Sequence, residues 1–348
     1  MKKYELPKHP FITICTPTFN RRPFIPTMIQ CFNHQKYPKD KIEWIILDDG
    51  TDKIEDLVKH IPQVNYMRFE TKLTLGKKRN IGNDNAKGDI IIYMDDDDYY
   101  PPERISHVVQ MLRTNKKALC AGSSEMYIYF KDIQKMYKFG PYGEKHSTAA
   151  TFAFRKELLK ETRFNENASI AEERHFLKDY TIPFIQLDTK KSILVFSHIH
   201  NSCDKKELLQ GLHAPLEHRK IFETDVIPQD IIKEPEILKF YMEDIDELLM
   251  NYEPGNPINK EDVTKQITEL KEKREQSIKQ EITNQTKYQD IIQKTINLKQ
   301  SSSSPDTSFI IDNLTHENNQ LKEKILYLEE KIKQLINEKI KEIKSPKL

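Results

Sequence analysis

With 348 residues, 37% of them hydrophobic and 31% charged, the chain is long enough for one large domain plus an extension, or for two domains. Its 55 basic and 54 acidic residues leave a formal net charge of +1, so no global field draws it to nucleic acid or to an anionic membrane surface. Cys15, Cys31, Cys120 and Cys203 form no CxxC pair, the N-terminus lacks a signal peptide's apolar core, and no stretch is long enough to span a membrane; reduced thiols in a soluble, cytoplasmic protein are the expectation.

In chain order, Phe11 to Thr16 read as a strand ending at Pro17, followed by a polar turn and a helix over residues 23–34 with proline near its start. Trp44 to Leu47 form a second buried strand, and Asp48-Asp49-Gly50-Thr51-Asp52 the turn behind it. Residues 53–60 are helical, 66–69 a short strand, and Leu75-Gly76-Lys77-Lys78-Arg79-Asn80 opens another helix. The central strand, Asp89 to Met94, is too short for a helix and rich in β-branched and aromatic residues. This alternation predicts an α/β domain with a mainly parallel sheet, whose polar loops 17–22, 48–52 and 95–100 gather on one edge.

Asp95, Asp96, Asp97 and Asp98 follow the central strand at once, and Pro101-Pro102 end regular structure. Such a concentration of like charge behind a buried strand is costly unless a cation offsets it. Hard oxygen ligands suit Mg²⁺ or Mn²⁺; a solvated acidic loop is the alternative.

Farther on, residues 103–115 predict a helix, 118–130 strands, 148–154 a strand running into a helix at 155–159, 171–177 a short helix and 193–196 a last strand before His198 and His200. Residues 228–252 read as helices and 260–299 as a long polar helix. Ser301 to Pro305 form a linker. A heptad follows, with Ile311, Asn318, Ile325 and Ile332 at a and Leu314, Leu321, Leu328 and Leu335 at d. Ile at a with Leu at d favours a parallel homodimer through residues 311–340; the alternative is an amphipathic helix packing back on its own domain. The resulting division is 1–210, a helical extension 211–300, the linker 301–308 and a coiled-coil helix 309–344.

The succession Thr16-Pro17-Thr18-Phe19-Asn20-Arg21, Leu47 to Asp52, Leu75 to Gly82, Tyr93 to Asp98 and Ala171-Glu172-Glu173 resembles a family 2 glycosyltransferase with the GT-A fold, over roughly residues 10–205. The overall texture also resembles glycosyltransferase-like proteins of large DNA viruses. The resemblance implies a nucleotide-diphospho-sugar transferase with a Rossmann-like sheet, which moves a sugar, with a UDP-sugar as the favoured donor, to an acceptor hydroxyl with inversion. It places Pro17, Thr18 and Asn20 in the nucleotide pocket. Asp49 accepts a hydrogen bond from the base, with Asp48 as the alternative, and Arg79 reaches the nucleotide.

By the same resemblance Asp95 and Asp97 form a DxD pattern, with Asp97 the metal ligand, although Asp96 can take the adjoining register. A Mn²⁺ or Mg²⁺ ion there stabilises the leaving nucleoside diphosphate. Glu173 stands at the general-base position with Glu in place of the usual Asp, which keeps Glu172 open as the base. His198 and His200 face opposite ways on an extended segment, so one of them enters the site; His200 is the favoured metal ligand. His146 lies on a loop able to cover donor or acceptor. The acceptor is unspecified, whether glycan, protein or small molecule.

Glycine-rich phosphate loops and the GxGxxG pattern are absent, which argues against P-loop and dinucleotide-binding classes. Without membrane helices or a QxxRW motif, a polymerising synthase does not fit either. The alternative function is a non-catalytic scaffold, a degenerate transferase domain that binds a nucleotide or partner and is oligomerised by its tail.

Overall fold

The computed structural model describes residues 6–213, 220–300 and 307–344. Among these, seven strands form one sheet in the order β3-β2-β1-β4-β8-β5-β9, and four form a second, β10-β6-β7-β11. The first half is a repeated strand–helix unit: β1 (Ile12–Thr18), α1 (Ile25–His34), β2 (Ile42–Asp48), α2 (Glu55–Val58), β3 (Val64–Arg68), α3 (Leu75–Asn85) and β4 (Ile90–Tyr93). β1 pairs in parallel with both β2 and β4, with Thr18 opposite Asp48 and Cys15 opposite Tyr93, so the loops after these strands share one edge.

Side-chain alternation explains why this sheet is covered on both faces. Ile12, Ile14, Trp44, Ile46, Ile90 and Ile92 belong to one apolar cluster. Cys15, Ile45, Leu47, Ile91 and Tyr93 belong to another. Trp44 stacks on Phe32 of α1 with ring centroids 4.5 Å apart, and its indole N–H donates to Thr16 Oγ1 at 2.9 Å.

The remainder adds α4 (Arg104–Thr114), β5 (Cys120–Gly122), β6 (Met126–Phe130), β7 (Lys135–Phe139), β8 (Ala153–Arg155), α5 (Glu173–Phe176), β9 (Phe184–Gln186), β10 (Leu194–Ser197) and β11 (Ile221–Glu223). β8 is the antiparallel member of the large sheet. The helix expected after β8 is a 3₁₀ turn, Lys156–Lys160. α5 is a single turn because Lys178, Asp179 and Tyr180 that follow it are left-handed, with φ of 49°, 52° and 63°, which no right-handed helix tolerates.

β7, β9 and β11 were not anticipated from the sequence; each is short and lies on or near an edge of a sheet. β11 lies beyond residue 210 and pairs with β7, so the chain past that point continues to build the first body. α6 (Pro228–Ile231), α7 (Pro235–Lys239) and α8 (Ile245–Met250) contribute Ile231, Ile237, Ile245 and Leu249 to a third cluster, with Phe196 and Tyr129 of the second sheet. The first compact unit runs from Met1 to Gln266, and the second covers Ile267 to Leu348. No helix of the described residues is long and apolar enough to cross a membrane.

The second unit holds most of α9 (Glu261–Gln300) and all of α10 (Thr307–Lys344). Lys324 of α10 pairs with Glu281 of α9 at 3.0 Å. These two residues stand at similar distances from the facing helix ends, so the helices run antiparallel. In α10 the less exposed positions are Leu314, Asn318, Leu321, Ile325, Tyr327, Leu328, Lys331 and Ile332, which include the described a and d residues of the heptad. In α9 from Lys271 onward they are Lys271, Glu275, Ile278, Ile282, Gln285, Gln289 and Ile292, a matching alternation of four and three. Charged and amide side chains at several of these seven positions hide that second seam in the sequence. The linker expected at Ser301–Pro305 and the side chains of Ile311 and Leu335 lie outside the described residues.

Candidate active site

The loop after β1 turns at Asn20, whose left-handed backbone (φ 53°) suits asparagine. Asn20 Oδ1 accepts from the amide of Asp52 at 2.9 Å, which ties the β1 loop to the β2 loop. Gly50 makes the approach possible: a Cβ there would sit 2.6 Å from the backbone nitrogen of Asn20. Asp48 holds the turn behind β2, accepting from the amides of Gly50 at 2.8 Å and Ile54 at 3.1 Å and from the Tyr66 hydroxyl at 2.6 Å. Asp49 is wholly buried, pairing with Lys78 at 2.7 Å and accepting from the amide of Leu73 at 2.6 Å. Both carboxylates of this turn are therefore engaged within the protein.

Pro17, Arg79, Asp95, Asp96 and Asp97 line one cavity of about 140 Å³ at the carboxyl edge of the large sheet, together with Arg21, Lys78 and Lys260. Thr18 is buried behind it. Arg21 enters the acidic run, 3.5 Å from Asp96 and 3.2 Å from Asp97, and donates to the carbonyl of His200 at 2.8 Å. Burial pushes the Asp97 carboxyl up, but Arg21 and His198 outweigh it and hold Asp97 well below the usual carboxylate range. Asp96 goes the other way, raised to about 7 by burial. Burial and the Asp97 charge also raise Asp98 well above the usual range.

His198 Nε2 lies 3.4 Å from Asp97, and burial lowers the imidazole to about 4, so it is neutral at pH 7. The side chain of His200 is also neutral, and a Cβ added at Gly255 would meet its Nδ1 at 2.6 Å; it is His198 that stands beside Asp97. Two carboxylates and a neutral imidazole fit the ligand chemistry of a divalent cation, and Asp95 Oδ1 is buried with no hydrogen-bond partner among the described residues. Among the described residues, however, no three such groups are gathered as a ready metal cage.

Arg79, from α3, lies over the Tyr93 ring at 4.3 Å and donates from Nε to Glu172 at 2.7 Å, with Asp95 3.7 Å away. Glu172 is thus a buried partner of a buried guanidinium. Its neighbour Glu173 is raised to about 7, first by burial and then by the Glu172 charge. Ala171 just before them is left-handed, φ 52°, a strained conformation for alanine that turns the pair into place. His146 packs between Tyr142 and Tyr180, with ring centroids 5.1 and 5.2 Å away.

Arg21, Lys78 and Lys260 are site residues that the sequence reading did not single out. Arg21 sits inside a quoted motif, and Lys78 next to Arg79 reads as a surface cation. Lys260 carries no local signal, because it belongs to the far end of the first body.

Residues 13–174 match the family described as Glycosyl transferase family 2. An uncharacterized glycosyltransferase of Haemophilus influenzae is 29% identical over 105 residues, covering 30% of this chain and 35% of that protein. The amylovoran biosynthesis glycosyltransferase AmsB of Erwinia amylovora is 23% identical over 181 residues, covering 44% of this chain and 58% of its own. The match thus spans less than two thirds of either relative. The mannosyltransferase PcManGT from Pyrobaculum calidifontis, in complex with GDP-Man and Mn²⁺, is similar with a TM-score of 0.43 and 16% identity, over 53% of this chain and 56% of that one.

Proposed function

We propose, from the premise that residues 13–174 are a family 2 glycosyl transferase domain, that the chain moves a sugar from a nucleotide-sugar to an acceptor hydroxyl with inversion. The observation that carries this reading is the acidic run at the end of β4, gathered in one cavity with Arg79, Arg21 and Lys78. Carboxylates and cations side by side suit a diphosphate and its counter-ion.

In this reading Glu173 takes the proton of the attacking hydroxyl. A carboxylate raised to about 7 is poised for proton transfer near neutral pH. Glu172, clamped by Arg79, fixes the guanidinium and supplies the charge that helps raise its neighbour. Asp97, Asp95 and His198 would hold Mn²⁺ or Mg²⁺, which when bound offsets charge on the departing diphosphate. UDP-sugars are the first donors to try.

The test is release of nucleoside diphosphate from a panel of nucleotide-sugars with Mn²⁺, with Mg²⁺ and with EDTA, for the wild type and Asp97→Ala. Metal-dependent release from one donor, lost in Asp97→Ala, is the expected result. If no donor releases nucleoside diphosphate and calorimetry on the same samples detects no nucleotide binding, the transferase reading fails and the non-catalytic scaffold takes its place.

A further inference from the structure

The chain returns to the donor cavity from beyond the family-matched segment. The Tyr252 hydroxyl donates to Asp52 Oδ2 at 2.8 Å, and the carbonyl of Pro254 accepts from Asn20 Nδ2 at 2.9 Å. Gly255 passes so close that a Cβ would meet Asn20 O at 3.0 Å. Asp262 pairs with Lys72 and accepts from Ser169 Oγ at 2.5 Å. Residues 252–262 are thus fastened to four separate loops of the transferase domain.

Between these anchors lies Lys260, only 7% exposed. Its Nζ donates to Ser202 Oγ at 2.8 Å, and it lines the same cavity as Asp95, Asp96, Asp97 and Arg79. Among the described residues no carboxylate reaches ion-pair distance of this ammonium. Burial and then the charge of Arg21 lower it to about 7, against the weaker opposing pull of Asp97 and Asp96. A buried ammonium whose hydrogen-bond partner is neutral, and whose nearest carboxylates, Asp96 and Asp97, lie beyond ion-pair distance, is only partly compensated by itself. It becomes favourable when an anion enters the cavity.

We propose that Lys260 is a donor-binding residue, whose ammonium bonds the diphosphate oxygens of the nucleotide-sugar and makes residues 252–262 part of the donor site. The inference rests on the transferase reading above and extends the site beyond the family-matched segment. Lysine suits this task as a compact cation with three donors, only one of them used by Ser202.

The experiment is calorimetric titration of the full chain, in the presence of Mn²⁺, with UDP, GDP, ADP and CDP and with the corresponding nucleosides. Wild type, Lys260→Met, Lys260→Gln and Lys260→Arg are compared, and melting temperatures are recorded without nucleotide. A lost charge-assisted bond weakens the diphosphate by about tenfold or more in Lys260→Met and Lys260→Gln. Affinity for the nucleoside stays the same, and Lys260→Arg remains within about threefold of wild type. Nucleotide-free Lys260→Met melts no lower than wild type, since it loses an unpaired buried charge.

Equal diphosphate affinity in wild type and Lys260→Met would overturn the inference and leave the transferase reading standing. A lower melting temperature, or failure to fold, in both neutral variants would assign Lys260 a structural role and overturn it too. No binding of any diphosphate by the wild type would overturn both.

Discussion

Two adjacent carboxylates, Glu172 and Glu173, have opposite environments, and this decides what each can do. Glu172 is bonded to Arg79 at 2.7 Å, so Glu172→Gln leaves the buried guanidinium with Asp95, 3.7 Å away, as its remaining charge partner and is expected to cost about 1–3 kcal/mol in chemical denaturation. Glu173→Gln leaves that pair intact; it is expected to keep donor affinity while lowering the transfer rate about 10²- to 10⁴-fold in single-turnover assays. Under the proposed role of Glu173, raised to about 7, a pH–rate profile of the wild type is expected to rise with pH and level off above neutrality. Stability follows the opposite course. A carboxyl raised in the folded state contributes stability fully below its unfolded value of 4.5 and loses it as pH rises through about 7. Melting curves should therefore show Glu173→Gln gaining on wild type between about pH 5 and pH 8.

Among the elements, the β2 turn and the α9–α10 pair carry the clearest consequences. Gly50→Ala puts a methyl 2.6 Å from the Asn20 nitrogen, and the β1 loop must move. Urea titration should show a loss of about 1–3 kcal/mol, with weaker nucleoside diphosphate binding in calorimetry. In the second unit, Asn318 is 6% exposed, and among the described residues its Oδ1, Gln285 Oε1 and Gln289 Nε2 have no hydrogen-bond partner. Such a polar layer sets helix register at the expense of stability. Asn318→Leu is expected to slow amide exchange along α10, and unchanged exchange would show that the layer is better satisfied than the side-chain geometry indicates.

At the scale of the whole molecule, the described heptad residues of α10, from Leu314 to Ile332, lie along α9 of the same chain, with Lys324 on Glu281. A seam used within one chain is not free for a second copy. Sedimentation of the full chain is therefore expected to give a concentration-independent monomer, and a dimer at micromolar concentration would restore the parallel coiled coil that the heptad by itself favours.

The strands β1, β2 and β4, their shared edge and the acidic run behind β4 were legible in the sequence. Burial on both faces leaves near-continuous apolar runs, and their polar ends mark where ligands gather. The heptad of α10 was legible for the same reason, as a local periodicity. The tertiary structure alone decided that His198 rather than His200 stands beside Asp97, that Arg79 holds Glu172 rather than Glu173, that α10 finds its seam on α9, and that Lys260 reaches the cavity behind β4. Each of these depends on groups brought together across long stretches of chain, and a local pattern of residue types carries no record of which distant partner fills a buried space or offsets a buried charge.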